Sequence, residues 1–363
     1  MMGTSHFAAG PEGGAVGATQ EFGMNRNELA RVAHAMVAKG RGLLAADEST
    51  GTIKKRFDKI KVENTEENRR AYRELLFTTP GMAEFISGVI LYDETLRQST
   101  KGGERFAALL SRLGVVPGIK VDGGTKPMPN FPGEVITEGL DGLAQRLAEY
   151  HGLGARFAKW RAVIDIGEGI PSRTCIETNA ELLARYAALC QEAEIVPIVE
   201  PEVLMDGAHS LARCEEVTNA VLASVFDRLD AHRVYLEGIV LKPNMVISGQ
   251  KASDRAGPEA VAEATVRCLK RHVPSAVPGI AFLSGGQSEA EATLHLDLMN
   301  RIGSLPWPLS FSYGRALQQS ALSAWGGAAA KVAQGQREFL KRAKLNGLAT
   351  FGRYEAALEK QAA

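Results

Sequence analysis

Three lysines stand in or beside short apolar segments: Lys120 in GIKVD, Lys159 in FAKWR and Lys242 in GIVLKPNM. A lysine facing a protein interior is expensive to bury, so such positions invite a chemical explanation. Lys242, flanked by apolar residues and followed by Pro243, is the candidate amine for attack on a carbonyl. An ordinary lysine, with pKa about 10.4, is an ammonium ion at neutral pH and cannot attack. Apolar burial and neighbouring cations both favour the neutral amine, and Lys120 and Lys159 are the cations available. A depression of about 3 pH units would cost roughly 4 kcal/mol. The competing reading is a side chain that snorkels to solvent from a strand end.

Carboxylates accompany these amines. Glu200 and Glu202 fall in IVPIVEPE, where a period of two turns both to one face of an extended segment. Beside cationic lysines, one of them could act as general acid and base for forming and collapsing a carbinolamine; the alternative is a pair of surface glutamates. Asp47, in LLAADES, could remove a hydroxyl proton or could cap a helix.

Two anion sites are suggested. LSGGQ, containing Ser284 and Gly285, offers backbone N–H groups just after a strand, and SYGRAL, containing Ser312, Gly314 and Arg315, runs into a helical segment. Helix N-termini and glycine-rich turns suit phosphate, and barrel enzymes commonly build such sites after their last two strands. Arg56 and Arg161 are candidates for a second, more distant phosphate, because guanidinium groups bind oxyanions bidentately. Either glycine turn alone would read as a tight turn. Metal chemistry finds little support: the seven histidines are scattered, without H-x-H, H-x-x-H or H-E-x-x-H spacing. His34, His151 and His232 read as surface or satisfied core residues.

The elements that must position these groups alternate along the chain. Strand candidates cover residues 42–47, 88–93, 118–122, 157–164, 195–200, 238–243, 279–284 and 309–313. Helical periodicity is found over residues 64–76, 140–151, 179–193, 214–230 and 258–272. Eight strands separated by helices predict an α/β chain whose parallel sheet closes into a (β/α)8 barrel. An open doubly wound sheet is the competing topology, and it usually brings a G-x-G-x-x-G turn that this chain lacks. Polar residues end nearly every strand: Asp47, Asp93, Lys120, Lys159, Glu200, Lys242, Ser284 and Ser312. In a closed barrel these ends converge on one face, where barrel active sites lie.

Bulk properties agree with a large buried core: 363 residues, 45% hydrophobic and 23% charged. Forty-two basic residues balance 42 acidic ones, which argues against a dedicated nucleic-acid partner. The four cysteines form no C-x-x-C pair and are expected to be reduced and structural. No apolar run of about 18 residues spans a membrane. The Gly- and Ala-rich start reads as a flexible arm over residues 1–25, lacking the basic and apolar regions of a secretory signal, so the expected compartment is cytoplasmic. A single barrel domain over residues 26–350 and a tail over 351–363 complete the expected organisation.

Taken together, LLAADESTG, ENTEENRRAYRELL, GIKVD, FAKWR, IVPIVEPE, YLEGIVLKPNMV, FLSGGQSE and SFSYGRAL resemble class I fructose-bisphosphate aldolase, in that family's order, from about residue 28 to about residue 350. The resemblance implies a (β/α)8 barrel, usually a homotetramer, that needs no metal or other cofactor. It implies Schiff-base cleavage of fructose 1,6-bisphosphate to dihydroxyacetone phosphate and glyceraldehyde 3-phosphate, reversibly, in glycolysis, gluconeogenesis or a Calvin-type pathway. By the same resemblance Lys242 is the Schiff-base lysine and Glu200 the acid/base that dehydrates the carbinolamine. Asp47 takes the C4 hydroxyl proton, Lys159 and Lys120 are active-site cations, and Glu202 is their partner. Ser284, Gly285, Ser312, Gly314 and Arg315 match one phosphate site, and Ser49, Arg56 and Arg161 lie near the other. Thr52 stands where many relatives have serine and keeps the hydroxyl.

One departure concerns the end of the chain. Many animal relatives finish on a tyrosine that assists enamine proton exchange, whereas GRYEAALEKQAA finishes on alanine and Tyr354 lies upstream. The expectation is weaker phosphate discrimination or slower protonation, or a substitute group from elsewhere. Rival readings are a transaldolase or single-phosphate aldolase, a non-catalytic protein that kept the fold, and a metal-dependent aldolase.

Overall fold

In the computed structural model, residues 24–360 and Met1 are described. The expected flexible arm therefore lies almost wholly outside the described residues.

The barrel strands are β1 (Gly42–Ala46), β2 (Ile86–Leu91), β3 (Val116–Lys120), β4 (Phe157–Ile164), β5 (Val196–Val203), β6 (Val240–Leu241), β7 (Ile280–Phe282) and β8 (Leu309–Tyr313). Each pairs in parallel with the next. β8 returns to β1 with Leu43 opposite Ser312 and Leu44 opposite Tyr313, so the sheet is closed and the open doubly wound alternative is excluded. A separate antiparallel ribbon, Thr125–Pro127 with Val135–Thr137, follows β3.

Period-two alternation divides each strand between two cores. In β4, Ala158, Trp160 and Ala162 point outward into the layer between sheet and helices, while Phe157 points inward. The inward apolar set includes Leu43, Ile90, Phe157, Val196, Ile198, Val240 and Ala281. It is closed from below by helix Arg26–Met36, whose buried Leu29, Val32, Ala33 and Met36 have the spacing of one helical stripe. Full burial of each large apolar side chain contributes about 1.5–3 kcal/mol. Bulk on either face requires small neighbours: inside, a Cβ at Gly88 would lie 2.9 Å from Leu43 and 3.1 Å from Phe157, and in the outer layer one at Gly42 would lie 2.6 Å from the Phe311 ring.

Helix boundaries move from their expected positions where a side-chain cap decides them. The helix expected from residue 64 runs Glu66–Phe77, because the Thr65 side chain accepts from Asn68 N–H. The one expected from residue 179 begins at Arg173, capped by Ser172, and the one expected from residue 214 begins at Leu211, capped by Ser210. Ser49, not Asp47, caps helix Thr50–Lys59, which leaves the Asp47 carboxylate free for the cleft. Strand β5 runs through Val203, past the expected end at Glu200, and so carries Glu202 as well. β6 is shorter than expected, yet its ladder continues: Lys242 N–H donates to Val199 O at 2.8 Å and Leu283 N–H to Pro243 O at 3.1 Å.

Candidate active site

The apolar floor of the barrel gives way to charge toward the carboxyl ends of the strands. Along β4 the inward series is Phe157, Lys159, Arg161 and Val163; along β5 it is Val196, Ile198, Glu200 and Glu202. These upper positions open on a cleft of about 530 Å³, within the range of small-ligand sites. The fifteen candidate residues all line it. They are Asp47 after β1; Ser49, Thr52 and Arg56 at the cap, first turn and last turn of the following helix; Lys120 on β3; Lys159 and Arg161 on β4; Glu200 and Glu202 on β5; Lys242 after β6; Ser284 and Gly285 after β7; and Ser312, Gly314 and Arg315 at the end of β8 and beyond.

Lys242 and Lys159 are each only 4% exposed, so neither snorkels to solvent. Glu200 stands between them: Oε1 is 3.1 Å from Lys242 Nζ and Oε2 is 3.7 Å from Lys159 Nζ. Lys159 Nζ also lies 2.8 Å from Asp47 Oδ2 and 3.7 Å from Asp122 Oδ2. Burial alone would push the Lys159 ammonium toward neutrality, but Asp47, Asp122 and Glu200 outweigh it and hold Lys159 protonated far above the usual lysine range. The converse applies to Asp47. Burial opposes its ionisation, yet Lys159, Lys242 and Lys120 together hold the carboxyl below its ordinary value. Asp47 is thus an anion, not a proton donor, near neutral pH.

Two expectations, the partner of Glu202 and the position of Asp93, need correction. Glu202 pairs with Arg161 and not with Lys120 or Lys159, because it lies one inward step nearer the mouth on β5. Lys120 is held instead by Asp122, its Nζ 2.6 Å from Oδ1 and 2.7 Å from the Asp122 carbonyl. Arg56, expected at the more distant phosphate, reaches toward Gly314, where a Cβ would come 3.5 Å from its Nη2. Asp93, named among the strand-end groups, does not line the cleft; it opens helix Asp93–Arg97 and pairs with Arg97.

Two carboxylates of the cleft were not singled out from sequence. Asp122 ends the quoted GIKVD two residues after Lys120, so the same period-two argument would have found it. Glu48 is buried; Arg56 and Gln318 Nε2, the latter at 3.1 Å, donate to its Oε1, and Arg73 Nη2 forms an ion pair with its Oε2 at 2.5 Å. Burial disfavours its ionisation, but Arg56 and Arg73 prevail and lower its pKa. Nothing local to ADES signals this, since Arg73 and Gln318 come from distant helices.

The cleft lining carries six cations (Arg56, Lys120, Lys159, Arg161, Lys242, Arg315) and five carboxylates (Asp47, Glu48, Asp122, Glu200, Glu202), so anions entering it meet a near-neutral but strongly polar surface. Among the described residues, buried Ser312 Oγ and Glu200 Oε2 have no hydrogen-bond partner, leaving both for a bound molecule. Chemically, the arrangement offers an amine within reach of a carboxyl proton shuttle, a second carboxylate to accept a proton, and glycine-rich turns for oxyanions. Among the described residues, no group of three or more His, Cys, Asp or Glu side chains is arranged to hold a metal ion.

Comparison with known proteins agrees with this chemistry. Residues 28–363 match the family model described as fructose-bisphosphate aldolase class-I. The chain is 58% identical over 333 residues to a probable fructose-bisphosphate aldolase class 1 of Xanthomonas campestris pv. campestris, covering 92% of this chain and 100% of that protein. It is 56% identical to the cytoplasmic isozyme of fructose-bisphosphate aldolase from Spinacia oleracea, covering 92% and 93% of the two chains. The solved structure of fructose-bisphosphate aldolase from Plasmodium falciparum superposes with a TM-score of 0.90 at 51% identity, covering 91% of this chain and 96% of that one. With a closed barrel, a lysine and carboxylate cleft at its carboxyl face and a family match over nearly its whole length, the chain belongs to the class I fructose-bisphosphate aldolases.

Proposed function

We propose that Lys242 is the covalent amine in the retro-aldol cleavage of fructose 1,6-bisphosphate, the reaction of this metal-independent class of aldolase. The observation that supports it best is the 3.1 Å separation of Lys242 Nζ from Glu200 Oε1 in a buried setting. Lys242 attacks C2 of the open-chain ketose, and Glu200 protonates the departing hydroxyl so that water leaves and an iminium remains. Asp47, held ionised by Lys159, takes the C4 hydroxyl proton. The C3–C4 bond then breaks, its electron pair passes into the iminium, and a neutral enamine forms on Lys242. Glyceraldehyde 3-phosphate departs; protonation of the enamine at C3 and hydrolysis release dihydroxyacetone phosphate.

In this reading Ser284, Gly285, Ser312, Gly314 and Arg315 hold one phosphate, and Ser49, Thr52, Lys120 and Arg161 face the other. Arg56, near Gly314, belongs with the first group. Glu202 steers Arg161. A homotetramer in the cytoplasm is the proposed state; four free, buried cysteines support a reducing compartment, and light scattering on the purified chain tests the assembly. The division into an arm (1–25), a barrel (26–350) and a tail (351–363) is supported by the outermost long helices, Arg26–Met36 and Val332–Ala349.

The test is borohydride reduction in the presence of dihydroxyacetone phosphate, followed by peptide mapping. Adduct on Lys242 is expected, with loss of both adduct and turnover in Lys242→Met. Adduct on Lys159 alone would reverse the assignment.

A further inference from the structure

The two anion turns lie on different barrel strands, and each is followed by its own helix: Glu289–Ile302 after the Ser284–Gly285 turn, and Arg315–Trp325 after Gly314. A phosphate held by both turns senses their separation, so whatever sets the distance between these two helices also tunes the phosphate site. Glu289, the first residue of the first helix, makes a direct connection. Its Oε1 accepts from Ser320 N–H at 3.0 Å and its Oε2 accepts from Ser320 Oγ. Ser320 lies in the second turn of the opposite helix.

The connection is braced from behind. Arg342, 3% exposed, donates from Nη2 to Glu289 O at 2.8 Å and to Thr293 Oγ1 at 2.5 Å. Its Nη1 is held by both Glu359 oxygens, at 2.5 and 2.7 Å, and Tyr354 Oη donates to the same carboxylate at 2.9 Å. A side chain with so many fixed partners cannot shift without breaking several bonds, so Glu289 is presented to Ser320 in one pose.

We propose that Glu289 is a positioning residue: by clamping Ser320 it sets the spacing of the two phosphate turns and thereby the affinity for the substrate phosphate they share. This rests on the sugar-bisphosphate reading of the cleft. Glu289 touches neither the reacting carbons nor Lys242, so its removal acts on binding more than on the chemical step.

The test uses the full chain and two readouts, steady-state cleavage of fructose 1,6-bisphosphate and direct binding of inorganic phosphate. In Glu289→Ala, KM and the phosphate dissociation constant should each rise by roughly ten-fold with kcat little changed, as expected when a positioning contact is lost. Glu289→Gln, which keeps an acceptor for Ser320, should recover most of that loss. Adding Ser320→Ala to Glu289→Ala should do no further harm, because both act through one contact. If Glu289→Ala does not fold, Ser320→Ala alone should give a smaller rise in the same two constants. Unchanged phosphate affinity and KM in the folded variants, or additive effects of the two substitutions, would overturn the proposal. Phosphate binding needs no imine, so failure of adduct formation at Lys242 would sink the functional reading while leaving this clamp measurable.

Discussion

Lys159 carries the most informative electrostatics of the molecule. Asp47, Asp122 and Glu200 converge on one buried ammonium, which shares with Lys120 and Lys242 the task of making their burial tolerable. Lys159→Met should destabilise the fold by roughly 3–5 kcal/mol, the usual cost of stranding buried charge. Because Asp47 would lose its nearest cation and the hydrogen bond that positions it, turnover should fall by at least on the order of 100-fold, a typical contribution of a positioned proton-transfer group. Urea unfolding and kcat together check this; near-normal turnover in the folded variant would refute the role given to Lys159. At this scale residue types were legible from spacing alone. Which carboxylate met which amine was not: Glu202 found Arg161, and unannounced Asp122 found Lys120.

Among the elements, the loop and helix after β7 add a pH response. His295 is buried in helix Glu289–Ile302, with Nδ1 2.6 Å from Gln287 Oε1 in the loop before it. Burial, against a small opposing pull from Glu291, drives its pKa down to about 4. The unfolded chain, with an ordinary histidine, binds a proton that the native state refuses as pH falls through about 6.5. Stability should therefore decline from about pH 6.5 to about pH 4, by on the order of 3 kcal/mol, and be unaffected by this group at higher pH. His295→Gln should flatten that slope in urea midpoints measured at pH 7 and pH 5; an identical slope in both proteins would refute the assignment. Helix existence was evident from periodicity, whereas starts at Arg173 and Leu211 depended on Ser172 and Ser210 accepting backbone N–H bonds, which hydrophobic spacing cannot register.

On the scale of the whole molecule, closure depends on residues that stay small where the side chains of the neighbouring strand are large. Gly42 faces the Phe311 ring and backbone across the β1–β8 seam. Gly42→Ala should cost about 1–3 kcal/mol through overpacking, read as a lowered thermal midpoint with the cleft chemistry retained in the folded fraction. A midpoint equal to the parent's would mean that the seam can relax. Seam closure also brings Asp47 and Arg315, far apart in sequence, to one cleft.

From its own residues the chain dictates strand and helix order, the inward parity of Lys159, Arg161, Glu200 and Glu202, and the chemical kinds of group available, because these follow from local periodicity and side-chain chemistry. Only the closed tertiary structure decided that Glu200 stands between Lys159 and Lys242, that Glu48 is buried under Arg73 and Gln318, and that Glu289 meets Ser320. Those outcomes depend on distances between segments far apart in the chain, and no spacing along a sequence encodes them.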